Sequence, residues 1–265
     1  MDLGLRDKSV IVTGGGSNIG RAIVLGFAAE GANITIGDVD MDQAERTANL
    51  ARQNGAGACQ VIKTDVTDLG QVQAMFKAAT DKFGGVDALV NNVGWDKLMF
   101  FTQTDPEFWR KIININFIGN LNCTKTALDI MIPKNSGSIV SISSDASRQG
   151  EPREAVYGGM KAAVNAFMKT VARENGRYGI RCNTVCPGVT IPKNPEDVGG
   201  TSMWTNIDSM FTADQLEKVA KALPLRKVGQ PEDIASAVVF LSSKKAAGYI
   251  TGQVLSVSGG YSMIG

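Results

Sequence analysis

The chain has 265 residues, 43% of them hydrophobic and 20% charged, which is enough for one large domain with a buried core. Its 27 basic and 26 acidic residues give a formal net charge of +1, so no excess charge favours nucleic acid or an anionic membrane as a partner. The absence of histidine excludes Ser-His-acid triads, Cys-His pairs and histidine-ligated metals, and we expect no metal ion.

From the sequence we expect neither a membrane span nor a signal peptide. The longest largely apolar runs, such as residues 235–241, are far shorter than the roughly 20 residues that cross a bilayer. Residues 1–9 lack the apolar core of a signal peptide. We therefore expect a cytoplasmic protein. The four cysteines have no disulfide or zinc spacing, and we interpret Cys182 and Cys186 as a reduced, buried pair rather than a redox or metal site.

Short β-branched runs alternate with longer amphipathic segments along the chain. Seven runs are predicted to be strands: residues 9–13, 33–37, 60–64, 88–90, 138–142, 181–185 and 254–257. Six segments are predicted to be helices: residues 19–30, 41–54, 69–83, 106–131, 155–178 and 231–242. Because strands that alternate with helices require crossover connections, we expect a single α/β domain over residues 1–265. It would have three layers and a seven-stranded parallel sheet.

The first predicted strand runs into a glycine-rich turn and then into a helix. Glycines let the backbone approach a pyrophosphate, and a helix N-terminus supplies N–H donors and the positive end of the helix dipole. A strand–turn–helix context favours dinucleotide binding over a glycine turn without a ligand. We therefore expect a doubly wound Rossmann fold whose turn contacts a cofactor through Gly14, Ser17, Asn18, Ile19 and Gly20.

Asp38 ends the second predicted strand. A carboxylate there accepts hydrogen bonds from the adenosine ribose and repels a 2′-phosphate. No Arg or Lys lies at positions 14–18 or 36–45 to pair with such a phosphate. The sequence therefore favours NAD over NADP, with Asp38 and Val39 at the ribose. Asp65 and Val66, after the third strand, are predicted to meet the adenine, and an acid that only caps the next helix is the alternative.

Tyr157 and Lys161 are one helical turn apart, so their side chains share a helix face. A lysine ammonium beside a phenol favours the phenolate, which predicts a lowered pKa for Tyr157. In a chain without histidine, this pair is the candidate acid/base for proton transfer. Ser144, thirteen residues before Tyr157, is predicted to hydrogen bond a substrate oxygen, and Ser141 and Ser143 are the alternatives.

In this order and spacing, the motifs resemble the short-chain dehydrogenase/reductase family, in its compact single-domain branch. The resemblance covers essentially the whole chain and includes the glycine turn, residues 91–94, Asn116, Ser144, residues 157–161, residues 187–188 and residues 250–253. It implies an NAD-linked interconversion of a secondary alcohol and a ketone, carried out by a homotetramer. The catalytic residues would be Asn116, Ser144, Tyr157 and Lys161. Further cofactor contacts would come from Asn92, Gly94, Tyr157, Lys161, Pro187, Gly188, Val189 and Thr190.

The resemblance also implies individual roles. Lys161 would act on the phenol of Tyr157 and would also bind the nicotinamide ribose. Asn116 would anchor a water in a proton path to solvent. Asn18 stands where the family usually has a glycine, and we expect the turn to persist because Asn tolerates left-handed backbone. Pro192 replaces a usual threonine, so Thr190 is the best candidate for the carboxamide contact.

Further segments narrow the resemblance within the family. Residues 94–96 (Gly-Trp-Asp), 144–146 (Ser-Asp-Ala) and 154–157 (Glu-Ala-Val-Tyr) look like those of 2-hydroxycyclohexanecarboxyl-CoA dehydrogenases. This implies a ring secondary alcohol such as a 2-hydroxycycloalkanecarboxyl-CoA, with an uncharged cyclic or aryl alcohol as the alternative. Trp95 would give the ring a flat apolar wall, unless it only packs against the protein. The predicted substrate contacts are Ser144, Trp95, Tyr157, Gln149 and Trp204.

An irregular segment follows the sixth strand. Residues 188–211 are rich in Gly and Pro yet contain Met203, Trp204, Met210 and Phe211. Such a segment is usually functional or mobile, and its apolar side chains predict a substrate lid over about residues 188–222 rather than a loop anchored to the core. Separately, Arg148 and Arg153 lie between Ser144 and Tyr157 and are candidates to meet a CoA phosphate or a carboxylate, although exposed loop arginines usually do neither.

Other functions compete with this interpretation. A 3-oxoacyl-thioester reductase fits the same motifs, although Asp38 disfavours the NADP that most such enzymes prefer. A catalytically silent NAD-binding protein of the same fold is disfavoured because the catalytic set is intact. A hydrolase is disfavoured by the absence of both histidine and a Gly-x-Ser-x-Gly elbow.

Overall fold

The computed structural model describes residues 2–192, 194–200, 202, 205 and 212–263. The described residues form seven strands: β1 (Ser9–Thr13), β2 (Asn33–Asp38), β3 (Ala58–Lys63), β4 (Ala88–Asn91), β5 (Gly137–Ile142), β6 (Ile180–Pro187) and β7 (Val254–Val257). All neighbouring strands are parallel, in the order β3-β2-β1-β4-β5-β6-β7. The predicted seven-stranded parallel sheet is confirmed. Because the strand order reverses between β1 and β4, a crevice opens at their carboxyl ends.

Helices connect the strands. The described residues form ten α-helices: α1 (Asn18–Ala29), α2 (Met41–Gln53), α3 (Leu69–Phe83), α4 (Pro106–Ile113), α5 (Gly119–Lys134), α6 (Ala146–Gln149), α7 (Ala155–Asn175), α8 (Ala213–Ala222), α9 (Pro231–Ser242) and α10 (Lys244–Ala247). Local chemistry starts and stops them: the Asp68 carboxylate accepts from the N–H groups of Gly70 and Gln71 at the start of α3, and Gly84 ends it with φ of 77°. No helix in the described part of the chain is long and apolar enough to cross a membrane.

The structure corrects two of the predicted helices. The helix predicted over residues 106–131 is interrupted by a π-helical turn, Asn114–Ile118, and α5 then continues to Lys134. Such turns are rare and are frequent at functional sites, and this one carries Asn116. The helix predicted over 155–178 ends at Asn175 and is followed by a 3₁₀ turn, Gly176–Tyr178.

Two hydrophobic cores cover the two faces of the sheet. Side chains along β1 alternate between them, with Val10 and Val12 in one cluster and Ile11 in the other. The first cluster packs the sheet against α1, α2 and α9, and the second packs it against α3, α5 and α7. This arrangement is the predicted three-layer, doubly wound fold.

The cysteine pair on β6 is buried and reduced, as predicted. Cys182 and Cys186 lie on the same strand, four residues apart. Burial raises the pKa of Cys182 to about 12, so its thiol stays protonated and unreactive at neutral pH. The pKa of Cys186 is raised for the same reason.

Candidate active site

A cavity of about 880 Å³ lies at the carboxyl ends of the strands. Every residue predicted to contact the cofactor lines it, from the glycine turn after β1 to the segment 187–190 after β6. Ser144, Trp95 and Tyr157, predicted to contact the substrate, line the same cavity. The fold therefore brings the predicted cofactor residues and three of the five predicted substrate residues together in one place.

The glycine turn is tightly folded. Gly14 and Asn18 have φ of 63° and 48°, so Asn18 adopts the left-handed conformation that was predicted for it. A Cβ atom on Gly20 would lie 1.9 Å from the Gly14 carbonyl oxygen, so only glycine fits there. Helix α1 begins at Asn18, and its first N–H groups lie at the cavity wall. The buried Oδ1 of Asn18 has no partner among the described residues. A tight glycine turn followed by the N-terminus of α1, where no side chain caps the helix, fits a pyrophosphate.

Asn92 holds this turn in place. Its Nδ2 donates to the carbonyl oxygens of Thr13 and Gly14, both at 3.0 Å, and its backbone N–H donates to Thr13 Oγ1 at 3.0 Å. Both hydrogens of the side-chain amide are therefore used within the protein. Asn92 lines the cavity, but its contacts serve to position the turn.

Asp38 lies at the end of β2, beside the glycine turn. Its Oδ2 accepts from the N–H of Gly16 at 2.9 Å, and its Oδ1 accepts from the N–H of Asp40 at 3.0 Å. Burial raises the pKa of Asp38, and these backbone hydrogen bonds oppose the rise. Two arginines in the helices that follow β1 and β2 have other partners: Arg21 pairs with Asp197, and Arg46 donates to Gln43. Asp38 itself forms no ion pair within 4.0 Å among the described residues.

Asp65 follows β3. The sequence left open whether it meets the adenine or only caps the next helix. Its Oδ1 accepts from both the N–H and the hydroxyl of Thr67, at 2.9 and 2.7 Å. The cap of α3 is Asp68 rather than Asp65. Asp65 therefore shapes the turn that carries Val66, and both residues line the cavity.

Ser143 and Ser144 both line the cavity, but the hydroxyl groups of Ser141 and Ser143 hydrogen bond within the core. Ser141 Oγ accepts from Asn120 Nδ2 at 3.0 Å, and Ser143 Oγ donates to the carbonyl oxygen of Lys161 at 3.0 Å. Ser144 Oγ accepts from the Ala146 N–H at 3.1 Å and lies near the Tyr157 hydroxyl. The geometry therefore favours Ser144 over the two alternatives.

The predicted lowering of the pKa of Tyr157 is wrong for this structure. Burial raises the pKa of Tyr157, the carboxyl groups of Glu154 and Asp96 add to the rise, and hydrogen bonding to Ser144 opposes it. Lys161 does not counter these effects, because its Nζ lies 5.5 Å from the Tyr157 ring centroid and donates to the Ile142 carbonyl oxygen at 3.0 Å. Burial also lowers the pKa of Lys161 to about 8, which weakens its charge.

Asn116 lies in the π-helical turn and is 2% exposed. Its Nδ2 donates to the carbonyl oxygens of Trp95 and Ile112, at 2.8 and 3.0 Å, and its Oδ1 accepts from the Trp95 N–H at 3.2 Å. Gly94 lies between it and Lys161, since a Cβ there would be 3.1 Å from Asn116 Oδ1 and 3.0 Å from Lys161 Nζ. These contacts give Asn116 a positioning role for the loop after β4. A water held by it stays a prediction.

Trp95 forms part of the cavity wall and is half-buried. Lys111 Nζ lies 3.7 Å from its ring centroid, and the Phe108 ring packs edge-on at 6.1 Å. The ring is therefore held by α4 in a fixed orientation. This placement agrees with the predicted apolar wall.

The structure does not place two further predicted substrate residues at the cavity, and a third is not among the described residues. Gln149 is exposed, is absent from the described cavity wall and hydrogen bonds Tyr261 instead, so Tyr261 occupies the wall near it. Arg148 donates to the carbonyl oxygen of Val254 and to Ser256, at 3.1 and 3.0 Å, which ties it to β7. Trp204 lies outside the described residues.

The described part of the predicted lid is attached to the cofactor side of the cavity. Asp197 forms an ion pair with Arg21 of α1, and the Glu196 carbonyl oxygen accepts from Gln43 Nε2 of α2 at 3.1 Å. Val219 of α8 lines the cavity. Helix α8 was not predicted, although Thr212 and Gln215 form a capping box that marks its start in the sequence.

Sequence reasoning missed two acids beside Tyr157. Asp96 is 5% exposed, and Glu154 is half-buried at the start of α7. Burial raises the pKa of Asp96 to about 6, and burial followed by the charge of Asp96 raises that of Glu154 to about 7. Glu154 precedes Tyr157 by three residues, a helical spacing that was readable from the sequence. The approach of Asp96 was not, because it depends on the fold.

The chain is similar to known proteins over nearly its whole length. A family model described as Enoyl-(Acyl carrier protein) reductase matches residues 14–262. An acetoacetyl-CoA reductase of Synechocystis sp. is 36% identical over 98% of this chain and 99% of its own length. A 3-oxoacyl-[acyl-carrier-protein] reductase of Staphylococcus aureus is 33% identical over 97% and 98% of the two chains. A 3alpha-hydroxysteroid dehydrogenase of Mediterraneibacter gnavus is 34% identical over 96% and 97%.

These relatives bear on the two substrate predictions. Two of the three act on 3-oxoacyl or acetoacetyl thioesters by name, which supports the interpretation that ranked second in the sequence. None of the three names supports the narrower resemblance to 2-hydroxycyclohexanecarboxyl-CoA dehydrogenases.

Proposed function

Because the chain belongs to the short-chain dehydrogenase/reductase family, we propose that it is an NAD-dependent reductase of 3-oxoacyl thioesters. The observation that carries the proposal is the convergence of Ser144, Tyr157 and Lys161 on the cavity that the glycine turn also lines. Full-length similarity to an acetoacetyl-CoA reductase and a 3-oxoacyl-[acyl-carrier-protein] reductase supports the thioester substrate. The intact set of polar groups disfavours a silent binding protein.

Side chains of the protein donate and accept the proton that is exchanged with the substrate oxygen. Ser144 donates a hydrogen bond to the carbonyl oxygen of the substrate, and Tyr157 delivers its proton to that oxygen during reduction. In the oxidative direction, Tyr157 takes the proton from the hydroxyl. Lys161, buried one turn after Tyr157, orients the ribose next to the nicotinamide. A nicotinamide held at residues 187–190 would supply the hydride for reduction and would accept it in oxidation.

The choice of NAD rests on Asp38. Its carboxylate lies beside the Gly16 amide, where it is available to accept from ribose hydroxyls and repels a phosphate. Arg21 and Arg46, the basic residues that follow in α1 and α2, are occupied by Asp197 and Gln43. Val39, Asp65 and Val66 would flank the adenosine, and residues 187–190 would hold the nicotinamide end.

A ring secondary alcohol is the second candidate substrate. The Trp95 ring offers a flat apolar wall next to Tyr157, and the similarity to a 3alpha-hydroxysteroid dehydrogenase supports a cyclic alcohol. In this alternative the described lid helix α8, with Val219 at the cavity, would cover the ring.

One assay separates these candidates. Purified protein is mixed with NADH or NADPH and with acetoacetyl-CoA, a cyclic ketone or a 2-oxocycloalkanecarboxyl-CoA, and the absorbance of the reduced cofactor is followed. We expect the highest kcat/KM with NADH and acetoacetyl-CoA. A higher kcat/KM with a cyclic ketone would transfer the proposal to the second candidate. Turnover of none of the three ketones would refute both.

We also infer a homotetramer in the cytoplasm, on the basis of the family resemblance. The exposed rings of Phe100 and Phe101, each 56% accessible before α4, support a surface that is covered in an assembly.

A further inference from the structure

Lys111 of α4 is held on an aromatic ring at the end of the main cavity that Trp95 and Tyr157 line. Its Nζ is 3.7 Å from the centroid of the Trp95 ring, and both residues are part of the cavity wall. The backbone N–H and carbonyl oxygen of Trp95 are both hydrogen bonded to Asn116, which fixes the base of the ring. Because a lysine side chain is flexible in itself, the ring restricts where the ammonium lies. A positive charge is thus held on the wall beside the residues proposed to receive the substrate.

The ammonium of Lys111 has no acidic partner among the described residues. Glu107 precedes it by one helical turn, a spacing that suits an ion pair, and Asp96 follows Trp95 in the chain. Neither acid forms an ion pair with Lys111 within 4.0 Å. The recorded partner of the Nζ is the Trp95 ring. An ammonium has three N–H donors, so contact with one ring face leaves donors for a ligand.

Lys161 is a second cation on the described cavity wall, and it has other work. Its Nζ donates to the Ile142 carbonyl oxygen at 3.0 Å. It lies one turn after Tyr157 and is 2% exposed, so it belongs to the reacting end of the cavity. A charged group remote from the ketone cannot reach it.

Arg153 is the third cation on the described cavity wall. Its guanidinium donates to the Leu98 carbonyl oxygen at 3.2 Å. Two acids, Glu151 and Glu154, lie within two residues of it in the chain and line the same cavity. This segment therefore offers an anion no net positive charge, and an anion is drawn to Lys111 instead.

We propose that Lys111 is a specificity-determining residue that binds an anionic group of the substrate, a carboxylate or a phosphate. Trp95 would contact the apolar part between that group and the ketone. Oxygens of either anion accept charge-assisted hydrogen bonds from an ammonium and are preferred over neutral acceptors. The site thus favours a charged ketone over a neutral one of similar shape. That the anion belongs to the substrate rests on the proposed function, whereas binding of an anion at Lys111 does not.

Binding of unreactive probes tests the proposal. The protein is saturated with NAD, which cannot reduce a ketone, and the probes are titrated calorimetrically at low ionic strength, where screening is weak. Acetoacetate supplies a carboxylate, and methyl acetoacetate is its neutral counterpart. Coenzyme A supplies phosphates, and pantetheine is its neutral counterpart. We expect the wild-type protein to bind at least one anion more tightly than its counterpart, and that anion identifies the source of the charge.

Variants of Lys111 then assign the site. Lys111→Gln is expected to weaken binding of the preferred anion about tenfold, because one charged hydrogen bond is lost, and to leave the neutral counterpart unchanged. Lys111→Arg keeps the charge and is expected to restore most of the affinity, whereas Lys111→Glu is expected to weaken it further. Lys169→Gln, which removes an exposed lysine from α7, is the matched control and binds all four probes as the wild type does.

Three results would overturn the proposal: a wild-type protein that binds neither anion more tightly than its counterpart, a Lys111→Gln variant with wild-type affinity for the anion, or equal losses for the anion and its counterpart. Because Lys111 is exposed, these substitutions are compatible with the fold, and unchanged binding of NAD identifies folded variants. In parallel, kcat/KM with NADH is measured for acetoacetyl-CoA and for acetoacetyl-N-acetylcysteamine, a thioester without phosphates. If neither thioester is turned over, the proposed function fails, while the titrations still decide the role of Lys111.

Discussion

At the scale of single residues, the site depends on a few groups whose environments differ strongly. In the proposed function, Tyr157 is the proton donor and Ser144 orients the carbonyl oxygen. Lys161 is buried, and its Nζ donates to a backbone carbonyl oxygen. The Tyr157–Lys161 spacing is local, so the sequence predicted their shared face correctly. The pKa of Tyr157 was mispredicted because its main cause, burial, depends on the fold, as does the approach of Asp96 from 61 residues away in the chain.

Tyr157→Phe removes the hydroxyl that exchanges the proton. We expect kcat for ketone reduction to fall about 100-fold or more, because general acid catalysis is lost while the ring still fills its site. Steady-state kinetics with NADH and the best ketone measures this. Tyr249→Phe, which removes an equivalent hydroxyl from a fully exposed ring, serves as the control. Wild-type kcat in Tyr157→Phe would contradict the assigned role.

Asp38→Ala tests the cofactor preference. Because the carboxylate is the proposed acceptor for the ribose hydroxyls, its loss is expected to raise the KM for NADH roughly tenfold, in line with one charged hydrogen bond. The KM for NADPH is expected to fall, since a repulsive charge is removed. Asp42→Asn, a charge change at an exposed position in α2, is the control. An unchanged NADH/NADPH ratio would remove Asp38 from the cofactor site.

At the scale of secondary-structure elements, short irregular turns position the groups that regular helices and strands carry. The glycine turn before α1 and the π-helical turn before α5 are the two clearest examples. The glycine turn was predictable, because Gly14, Asn18 and Gly20 mark it in the sequence. The π-helical turn could not be predicted, because the apolar periodicity of residues 106–131 continues through it. The turn carries Asn116, whose contacts with Trp95 form only in the fold.

Gly20→Ala tests the glycine turn. Its Cβ would lie 1.9 Å from the Gly14 carbonyl oxygen, so the turn must open and the pyrophosphate cradle is lost. We expect NADH binding, followed by fluorescence, to weaken by at least about tenfold, the equivalent of roughly 1.4 kcal/mol. Gly159→Ala in α7 meets nothing within 4 Å and is expected to bind NADH normally. It should also raise the free energy of unfolding by about 0.5–1 kcal/mol. Normal NADH binding by Gly20→Ala would contradict the cradle.

At the scale of the whole molecule, the alternation of strands and helices was sufficient to predict the layers and the parallel sheet. Most strand and helix limits agree with the structure to within one or two residues. Contacts between distant segments could not be predicted. Arg148 hydrogen bonds Ser256 of β7, which lies 108 positions later in the chain, and Asp197 pairs with Arg21, which lies 176 positions earlier. The sequence has no local pattern that records such approaches, which is why the substrate end was predicted less well than the cofactor end.

The oligomeric state belongs to this scale. We expect multi-angle light scattering at micromolar concentration to give four times the chain mass of 28.1 kDa. Replacing the exposed Phe100 and Phe101 by serine is expected to lower that mass if their surface is covered in the assembly. A wild-type mass of one chain would contradict the tetramer.

The central claim is that Ser144, Tyr157 and Lys161 serve a hydride transfer between a nicotinamide and a carbonyl carbon. Its most direct test is the transfer of deuterium from NADH labelled at the nicotinamide C4 to acetoacetyl-CoA, followed by mass spectrometry of the product. With the wild-type protein, the account predicts one deuterium at C3 of the product, 3-hydroxybutyryl-CoA. A reduced product without deuterium from either face of the labelled cofactor, or no reduced product at all, would contradict it.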